Sequence, residues 1–160
     1  MRRRGDHAAV LPPLDLVLAS TSPRRHALLA QAGFRFVVCE PGDEYERGDE
    51  HESAPGVPRE LAAERAARKA LGARSDRRDV PVLGVDTVVD LDGVELGKAR
   101  DRAACERMLM ALAGREHLVH TAHCLLLPDG RELVHTTSAV VRCRQASASE
   151  RARYLDSEQW

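Results

Sequence analysis

The chain has 160 residues, of which 43% are hydrophobic and 31% charged, a composition typical of one folded domain and not of a disordered segment. Its net charge of −1 gives no general attraction to nucleic acid, and 3% aromatic residues argue against a surface that stacks bases. No apolar run approaches the ~20 residues of a membrane span. We therefore expect neither a nucleic-acid polymer nor a membrane among its partners.

The cysteines and the N-terminus bear on location and domain organisation. The four cysteines are scattered without a Cys-x-x-Cys pair, which indicates reduced thiols and a cytoplasmic protein. Residues 1–13 combine three arginines with Pro12 and Pro13, and we expect them to form a loose tail. No repeat or linker divides the rest, so residues 14–160 are predicted to form one domain.

The first predicted elements are a short apolar strand over 16–19 and a helix that begins at Pro23, after Ser22 as N-cap. Arg24 and Arg25 then lie in the first helical turn, where the helix dipole disfavours cations and free N–H groups favour anions. A bound phosphate would remove this conflict. The alternative is a capped helix with two solvated arginines.

A second predicted strand over 34–39 leads into an acidic stretch over 40–52. Such stretches are usually solvated loops, but a carboxylate just after a strand could also hold a hard cation in a cleft. The residue pattern alone does not select which carboxylate.

The next predicted helix runs over 58–73, after Pro58 opens it. Small residues recur on one face at i, i+4 and i+8 and predict close packing against a neighbour: Ala62, Ala66 and Ala70. The basic residues indicate an exposed face with salt bridges such as Glu64–Arg68: Arg59, Arg65, Arg68 and Lys69.

A third predicted strand over 81–89 is followed by the hairpin turn Asp92-Gly93 and a return strand over 94–96. Asp86 interrupts the apolar residues of this strand. A carboxylate in such a run is costly unless it is paired or binds a metal. Asp86 is therefore the acidic residue that most strongly indicates a function.

The remaining pattern predicts a helix over 101–113, strands over 117–127 and 133–143, and a last helix opened by a Ser147–Glu150 capping box. Strand alternation separates His120 from His117 and His123, which disfavours a zinc site built on these histidines. Strands alternating with helices predict an α/β domain.

Four stretches together resemble the Maf family of nucleoside triphosphate pyrophosphatases. They are Leu-Ala-Ser-Thr-Ser-Pro-Arg-Arg at 18–25, Leu-Gly-Val-Asp-Thr-Val-Val at 83–89, Leu-Gly-Lys at 96–98, and 113–121. The resemblance implies an elongated α/β fold with a mixed sheet flanked by helices, related to the inosine triphosphate pyrophosphatases, with two lobes and a central cleft. It also implies a homodimer and a divalent cation, Mg²⁺ or Mn²⁺.

Such enzymes cleave a nucleoside triphosphate between the α- and β-phosphates. The resemblance places the catalytic proton acceptor at Asp86 and a metal on Asp86 and Glu44. It implies substrate contacts at Ser20, Arg24, Arg25, Arg65, Thr87 and Lys98. Arg24 and Thr87 stand where members acting on 7-methyl-GTP usually carry tryptophan and glutamine, so the chain resembles the dTTP/UTP type.

The chain departs from the family pattern in three places. A family lysine is replaced by Arg65, and the proline of a Gly-Lys-Pro motif is replaced by Ala99. The family also continues for about 40 residues beyond the match, a length that forms several elements. The alternative hypothesis is accordingly a truncated relative with impaired catalysis, acting as a nucleotide-binding protein or a regulator of septum formation.

Overall fold

The strands and helices alternate along the chain. The computed structural model describes residues 14–40, 57–74, 79–158 and 160; the expected tail over 1–13 lies outside them. The elements are β1 (Leu16–Ala19), α1 (Pro23–Gln31), β2 (Phe36–Val38), α2 (Pro58–Gly72), β3 (Val82–Leu91), β4 (Val94–Leu96), α3 (Arg102–Leu112), β5 (Glu116–Leu126), β6 (Glu132–Arg142) and α4 (Ala148–Asp156). The predicted α/β class is confirmed.

All six strands belong to one mixed sheet. Five are ordered β2-β1-β3-β5-β6, and β4 pairs with β3. β1 is parallel to β2 and β3, whereas β4, β5 and β6 are joined by antiparallel pairing. Asp92 and Gly93 between β3 and β4 have φ of 56° and 83°, as a type I′ hairpin turn requires, which confirms the predicted turn.

One edge of β3 has an interruption in strand pairing. β5 pairs with one edge of β3 from Val82 to Asp90. β1 and β4 both pair with the opposite edge, where the interruption lies. The pairing with β1 ends at Ala19↔Gly84, and that with β4 begins at Val89↔Leu96. In the described part of the chain, no strand pairs with residues 85–88 on this edge. We call these four residues the β3 gap.

α2 packs on one face of the sheet through its small residues. Ala62, Ala66 and Ala70 are all 0% exposed. A Cβ on Gly84 would lie 2.1 Å from the Ala66 carbonyl oxygen and 2.6 Å from the Ala70 nitrogen, so the helix backbone nearly touches β3. The predicted close packing of this stripe is confirmed.

α1 covers the opposite face, where Leu29 packs against the buried Leu16, Leu18 and Val85. Ser22 is the N-cap and Pro23 the first helical residue, as predicted, although the Ser22 side chain makes no capping hydrogen bond. Instead the Ser22 N–H donates to the Ser20 hydroxyl at 3.3 Å, which draws the turn toward Ser20.

The C-terminal helices begin as predicted. Asp101 accepts from the Ala104 N–H at 2.6 Å, and Ser147 and Glu150 form the capping box of α4. The Arg144 guanidinium and the Ser147 N–H and hydroxyl lower the pKa of the Glu150 carboxyl to about 2. Among the described helices, none is long and apolar enough to cross a membrane.

Candidate functional site

The β3 gap is bordered by chain segments that arrive from both sides. Ser20 follows the last residue of β1, and Gly97 and Lys98 follow the last residue of β4. Since strand residues advance about 3.3 Å each, roughly 17 Å separates the Gly84 and Val89 positions that flank the gap. A ligand placed here can contact the ends of β1 and β4 and the middle of β3.

On the α1 side of the gap, one arginine connects two of the predicted residues. Arg25 donates to the Ser20 hydroxyl at 2.9 Å and to the Thr87 hydroxyl at 3.3 Å. Thr87 also lies 3.2 Å from the Thr121 hydroxyl, across the β3–β5 pair. Ser20 is only 2% exposed, so its position is fixed. The α1 side therefore presents a guanidinium and several hydroxyl groups.

The pKa of a histidine on the α1 side is sensitive to the charge of Arg25. His123 of β5 has a lowered pKa, first because it is partly buried and then because Arg25 and His135 place positive charge near it. Positive charge on Arg25 therefore lies near His123 on this side of the gap, although the whole chain is nearly neutral. This local field favours an anionic ligand.

On the α2 side, Lys69 donates to Oδ1 of Asp86 at 2.7 Å. The two side chains are only 13% and 11% exposed. Pairing compensates the cost of placing a carboxylate among apolar residues, as expected for Asp86. The pairing leaves Oδ2 of Asp86 with no hydrogen bond among the described residues.

Arg65 lies one helical turn before Lys69 and is held by Glu95 of β4. Both terminal nitrogens of its guanidinium contact the two carboxylate oxygens of Glu95, one of them at 3.1 Å. The side chains of Arg65 and Glu95 are 18% and 15% exposed. The predicted Glu64–Arg68 pair is present at 3.8 Å, and Arg59 is exposed as predicted. The predicted exposed face is wrong for Arg65 and Lys69, because their side chains are mostly buried against partners on the sheet.

Asp86 and Thr87 are consecutive strand residues, so their side chains point to opposite faces of β3. Their contacts agree, since Asp86 meets α2 and Thr87 meets α1. Only the missing strand partner at the gap allows a single ligand to approach both faces. The residues on the α1 side (Ser20, Arg25 and Thr87) and the pair on the α2 side (Lys69 and Asp86) thus lie on opposite faces of the sheet. The β3 gap is the opening that connects them.

Within the described part of the chain, no hydrogen bond or ion pair joins three further predicted site residues, Arg24, Lys98 and Glu44, to the residues above. Arg24 and Lys98 are exposed and make no hydrogen bond or ion pair within the described ranges. Glu44 lies outside the described residues. Sequence reasoning did not single out Lys69 or Glu95. Arg65 and Lys69 are four residues apart, and each directly precedes an alanine that contacts Gly84. This spacing is the sequence signal that would have indicated Lys69.

A shallow cavity of about 270 Å³ lies away from these residues, at the β3–β4 turn and the start of β5. Next to it, Asp90 contacts His120 at 3.1 Å, and His120 contacts the Ser138 hydroxyl at 2.7 Å. Asp90 and His120 are buried, so this chain of polar groups ties β3, β5 and β6 together. None of the predicted site residues lines the cavity.

The donor set at Asp86 suits a hard cation that is brought in by its ligand. No group of three or more His, Cys, Asp or Glu side chains converges on one point among the described residues. Mg²⁺ is usually held by one or two carboxylates together with phosphate oxygens and water. Asp86, with one oxygen unpaired beside the gap, fits that mode.

Comparison with known proteins gives one family model, several similar sequences and a set of solved structures. A sequence model described as Maf-like protein matches residues 15–160. The chain is 40% identical over 156 residues to the dTTP/UTP pyrophosphatase of Bordetella parapertussis, covering 95% of this chain and 75% of that protein. It is 44% identical over 147 residues to the dTTP/UTP pyrophosphatase of Thermus thermophilus, covering 91% and 71%. Among solved structures, a HAM1 protein from Coxiella burnetii has a TM-score of 0.49 at 17% identity, covering 81% and 73%.

Proposed function

Because the chain belongs to the Maf family, we propose that it is a nucleoside triphosphate pyrophosphatase that hydrolyses dTTP and UTP to the monophosphate and pyrophosphate. One observation supports this most directly. The Arg25–Ser20–Thr87 cluster and the Asp86 carboxylate border the same β3 gap. A triphosphate in the gap would meet cationic and hydroxyl donors on one side and a carboxylate on the other.

The proposed reaction consumes one water. Water adds to phosphorus at the α–β phosphoanhydride, that P–O bond breaks, and pyrophosphate leaves. Asp86 accepts a proton from the attacking water. Negative charge on the phosphates is balanced by nearby donors, for which we propose Ser20, Arg24, Arg25, Thr87 and Lys98.

We propose that a divalent cation, Mg²⁺ or Mn²⁺, enters with the triphosphate and is held by Asp86, with Glu44 as a second carboxylate. When bound, such an ion neutralises phosphate charge and polarises the phosphorus centre. The chain's own residues orient the substrate and hold the proton acceptor. We also propose Arg65 as a substrate contact; in the structure both terminal nitrogens of its guanidinium contact Glu95.

Two further features belong to the proposal. Four free cysteines support a cytoplasmic location, where thiols stay reduced. A homodimer is supported by β6, which forms a sheet edge in the described part and leaves Leu133, Val134 and Val140 about half exposed or more.

The test is pyrophosphate release by the purified chain with Mg²⁺ or Mn²⁺ and dTTP, UTP or 7-methyl-GTP. We expect turnover of dTTP and UTP and at least a tenfold lower kcat/KM for 7-methyl-GTP, roughly the loss of one good contact. Asp86→Asn should lower kcat by about 100-fold or more, because the proton acceptor is removed.

Asp129→Asn is the matched control, since this exposed turn carboxylate pairs only with Arg131 in the described chain. Circular dichroism and thermal unfolding of each variant separate loss of chemistry from loss of fold. Equal turnover of the three nucleotides would contradict the dTTP/UTP preference. Absence of pyrophosphate release from all three would contradict the proposed reaction.

A further inference from the structure

A serine, a histidine and an aspartate form a hydrogen-bonded chain across three strands, apart from the proposed pyrophosphatase site. Nδ1 of His120 in β5 lies 2.7 Å from the Ser138 hydroxyl of β6, and its Nε2 lies 3.1 Å from Oδ2 of Asp90 in β3. Asp90 follows Asp86 by four residues on one strand, so roughly 13 Å separates these two positions. The proposed reaction of the nucleotide does not use Ser138, His120 or Asp90.

The partners of His120 fix where its proton lies. An ionised carboxylate only accepts hydrogen bonds, so Nε2 carries the proton that is donated to Asp90. In the neutral imidazole Nδ1 then has no proton and accepts from the Ser138 hydroxyl. The other oxygen of Asp90, Oδ1, accepts from the Gly93 N–H at 2.7 Å, which orients the carboxylate. In this arrangement a histidine can take the proton of a serine nucleophile.

The three side chains differ in exposure. Asp90 and His120 are 8% and 4% exposed, whereas Ser138 is exposed. The Cys143 N–H donates to the opposite Arg115 carbonyl at 2.9 Å, and alternation along β5 and β6 then makes His120–Ser138 a pair without ladder hydrogen bonds, in which side chains lie closest. The Ser138 side chain projects from the face of the sheet, so a second copy paired along the edge of β6 would leave it accessible.

The cavity of about 270 Å³ at the start of β5 lies beside this pair. Leu118 and Val140 line it, and they form the next pair on the same face as His120 and Ser138. Leu118 is 37% exposed and Val140 is 66% exposed. The cavity therefore offers apolar surface next to the serine, as an acyl chain of a few carbons requires.

The charges at the rim of the cavity are balanced. Asp92 pairs with Arg115, and Glu116 pairs with Arg142. Asp90, the third carboxylate of the lining, is already bonded to His120 and to the β3–β4 turn. The cavity consequently favours a neutral ligand over an ion.

We propose that Ser138 is a nucleophile for acyl transfer, with small neutral carboxylic esters as substrates. The Ser138 oxygen adds to the ester carbonyl while its proton moves to Nδ1 of His120, and Asp90 stabilises the imidazolium. The ester C–O bond then breaks, the alcohol leaves with that proton, and the acyl group remains on Ser138. Water, activated by His120 in the same way, cleaves the acyl-serine, so that ester and water give acid and alcohol. The acyl chain lies on Leu118 and Val140.

The test is hydrolysis of p-nitrophenyl acetate and p-nitrophenyl butyrate by the purified chain, with the acylated residue identified by mass spectrometry after acid quenching. We expect the acyl group on Ser138. We also expect a kcat/KM about tenfold higher for the butyrate, because two further methylene groups leave water. Val140→Thr keeps the shape of the side chain but adds a hydroxyl, and it should remove most of this preference.

Three variants separate the chemistry from the fold. Ser138→Ala should remove the acyl-serine and lower ester turnover about 100-fold, while pyrophosphate release from dTTP stays unchanged. His120→Gln keeps a donor for Asp90 but loses the proton acceptor, so acylation of Ser138 should slow about 100-fold. Ser149→Ala is the matched control, since this exposed serine contacts the Ser147 hydroxyl and no histidine in the described chain, and it should change neither rate.

Three results would overturn the proposal, and circular dichroism establishes that each variant is folded. They are an acyl group that is absent from Ser138, a wild-type rate of acylation in folded His120→Gln, and equal kcat/KM for the two esters. If His120→Gln does not fold, Ser138→Ala and the position of the acyl group still decide, because Ser138 is exposed. Pyrophosphate release is measured separately, so loss of one activity leaves the other proposal standing.

Discussion

Arg25 connects residues that lie far apart in the sequence. It follows Ser20 by five positions and contacts Thr87, which is 62 positions away. Its presence in the first turn of α1 is unfavourable for the helix alone. The two hydroxyl partners and the proposed phosphate explain why an arginine stands there, since its fork can serve several oxygens at once.

The charge of Arg25 can be measured at its neighbour His123. Because burial, Arg25 and His135 together lower the pKa of His123, Arg25→Met should raise that pKa, while burial keeps it below the ordinary value. An NMR titration of the imidazole resonances measures the change. Arg24→Met is the matched control and should leave the pKa almost unchanged, since Arg24 does not contribute to the shift. An equal effect of the two variants would contradict this account.

At the scale of elements, the packing of α2 on β3 decides where Lys69 lies relative to Asp86. Its alanine stripe permits contact with β3 at Gly84, and this contact sets the height of Lys69 above Asp86. The stripe was readable from the sequence as a spacing of four. The sequence did not indicate which strand the stripe contacts, because the spacing within one helix contains no information about its neighbour.

Gly84→Ala tests this packing. The added methyl would stand 2.1 Å from a backbone oxygen, so α2 must shift. Overpacking of this kind costs about 2 kcal/mol or more, measured as a lower free energy of unfolding in urea. Gly97→Ala is the control, because a Cβ there meets no heavy atom within 4 Å, and the loss should stay within about 0.5 kcal/mol. A similar decrease in the free energy of unfolding for the two variants would contradict the conclusion that Gly84 is needed for the close approach of α2 to β3.

At the scale of the whole molecule, the β3 gap is the feature that joins two faces of one sheet. Strand alternation separates Asp86 from Thr87, and a continuous sheet would keep them apart. β1 ends opposite Gly84 and β4 ends opposite Val89, and the opening lies between these two strand ends. The proposed site therefore depends on strand lengths as much as on the residues themselves.

Hydrogen exchange tests whether a ligand spans this opening. With Mg²⁺ and a non-hydrolysable dTTP analogue at about 100 times Kd, exchange at amides 20–25 and 85–98 should slow by up to about 100-fold. Amides 132–142 of β6 serve as the internal control, because β6 is separated from the gap by β5. Protection confined to one side of the gap would contradict a bridging ligand.

The sequence by itself determined the order of elements, the Asp92-Gly93 turn, the small-residue stripe of α2 and the unusual position of Asp86. These features depend on local spacing and on residue chemistry, which the linear pattern contains. Only the tertiary structure decided that Lys69 pairs with Asp86, that Glu95 holds Arg65, and that the α1 and α2 clusters meet at an opening in the sheet. Those facts depend on the register and length of strands that are distant in the chain, and these are set by how the whole core packs.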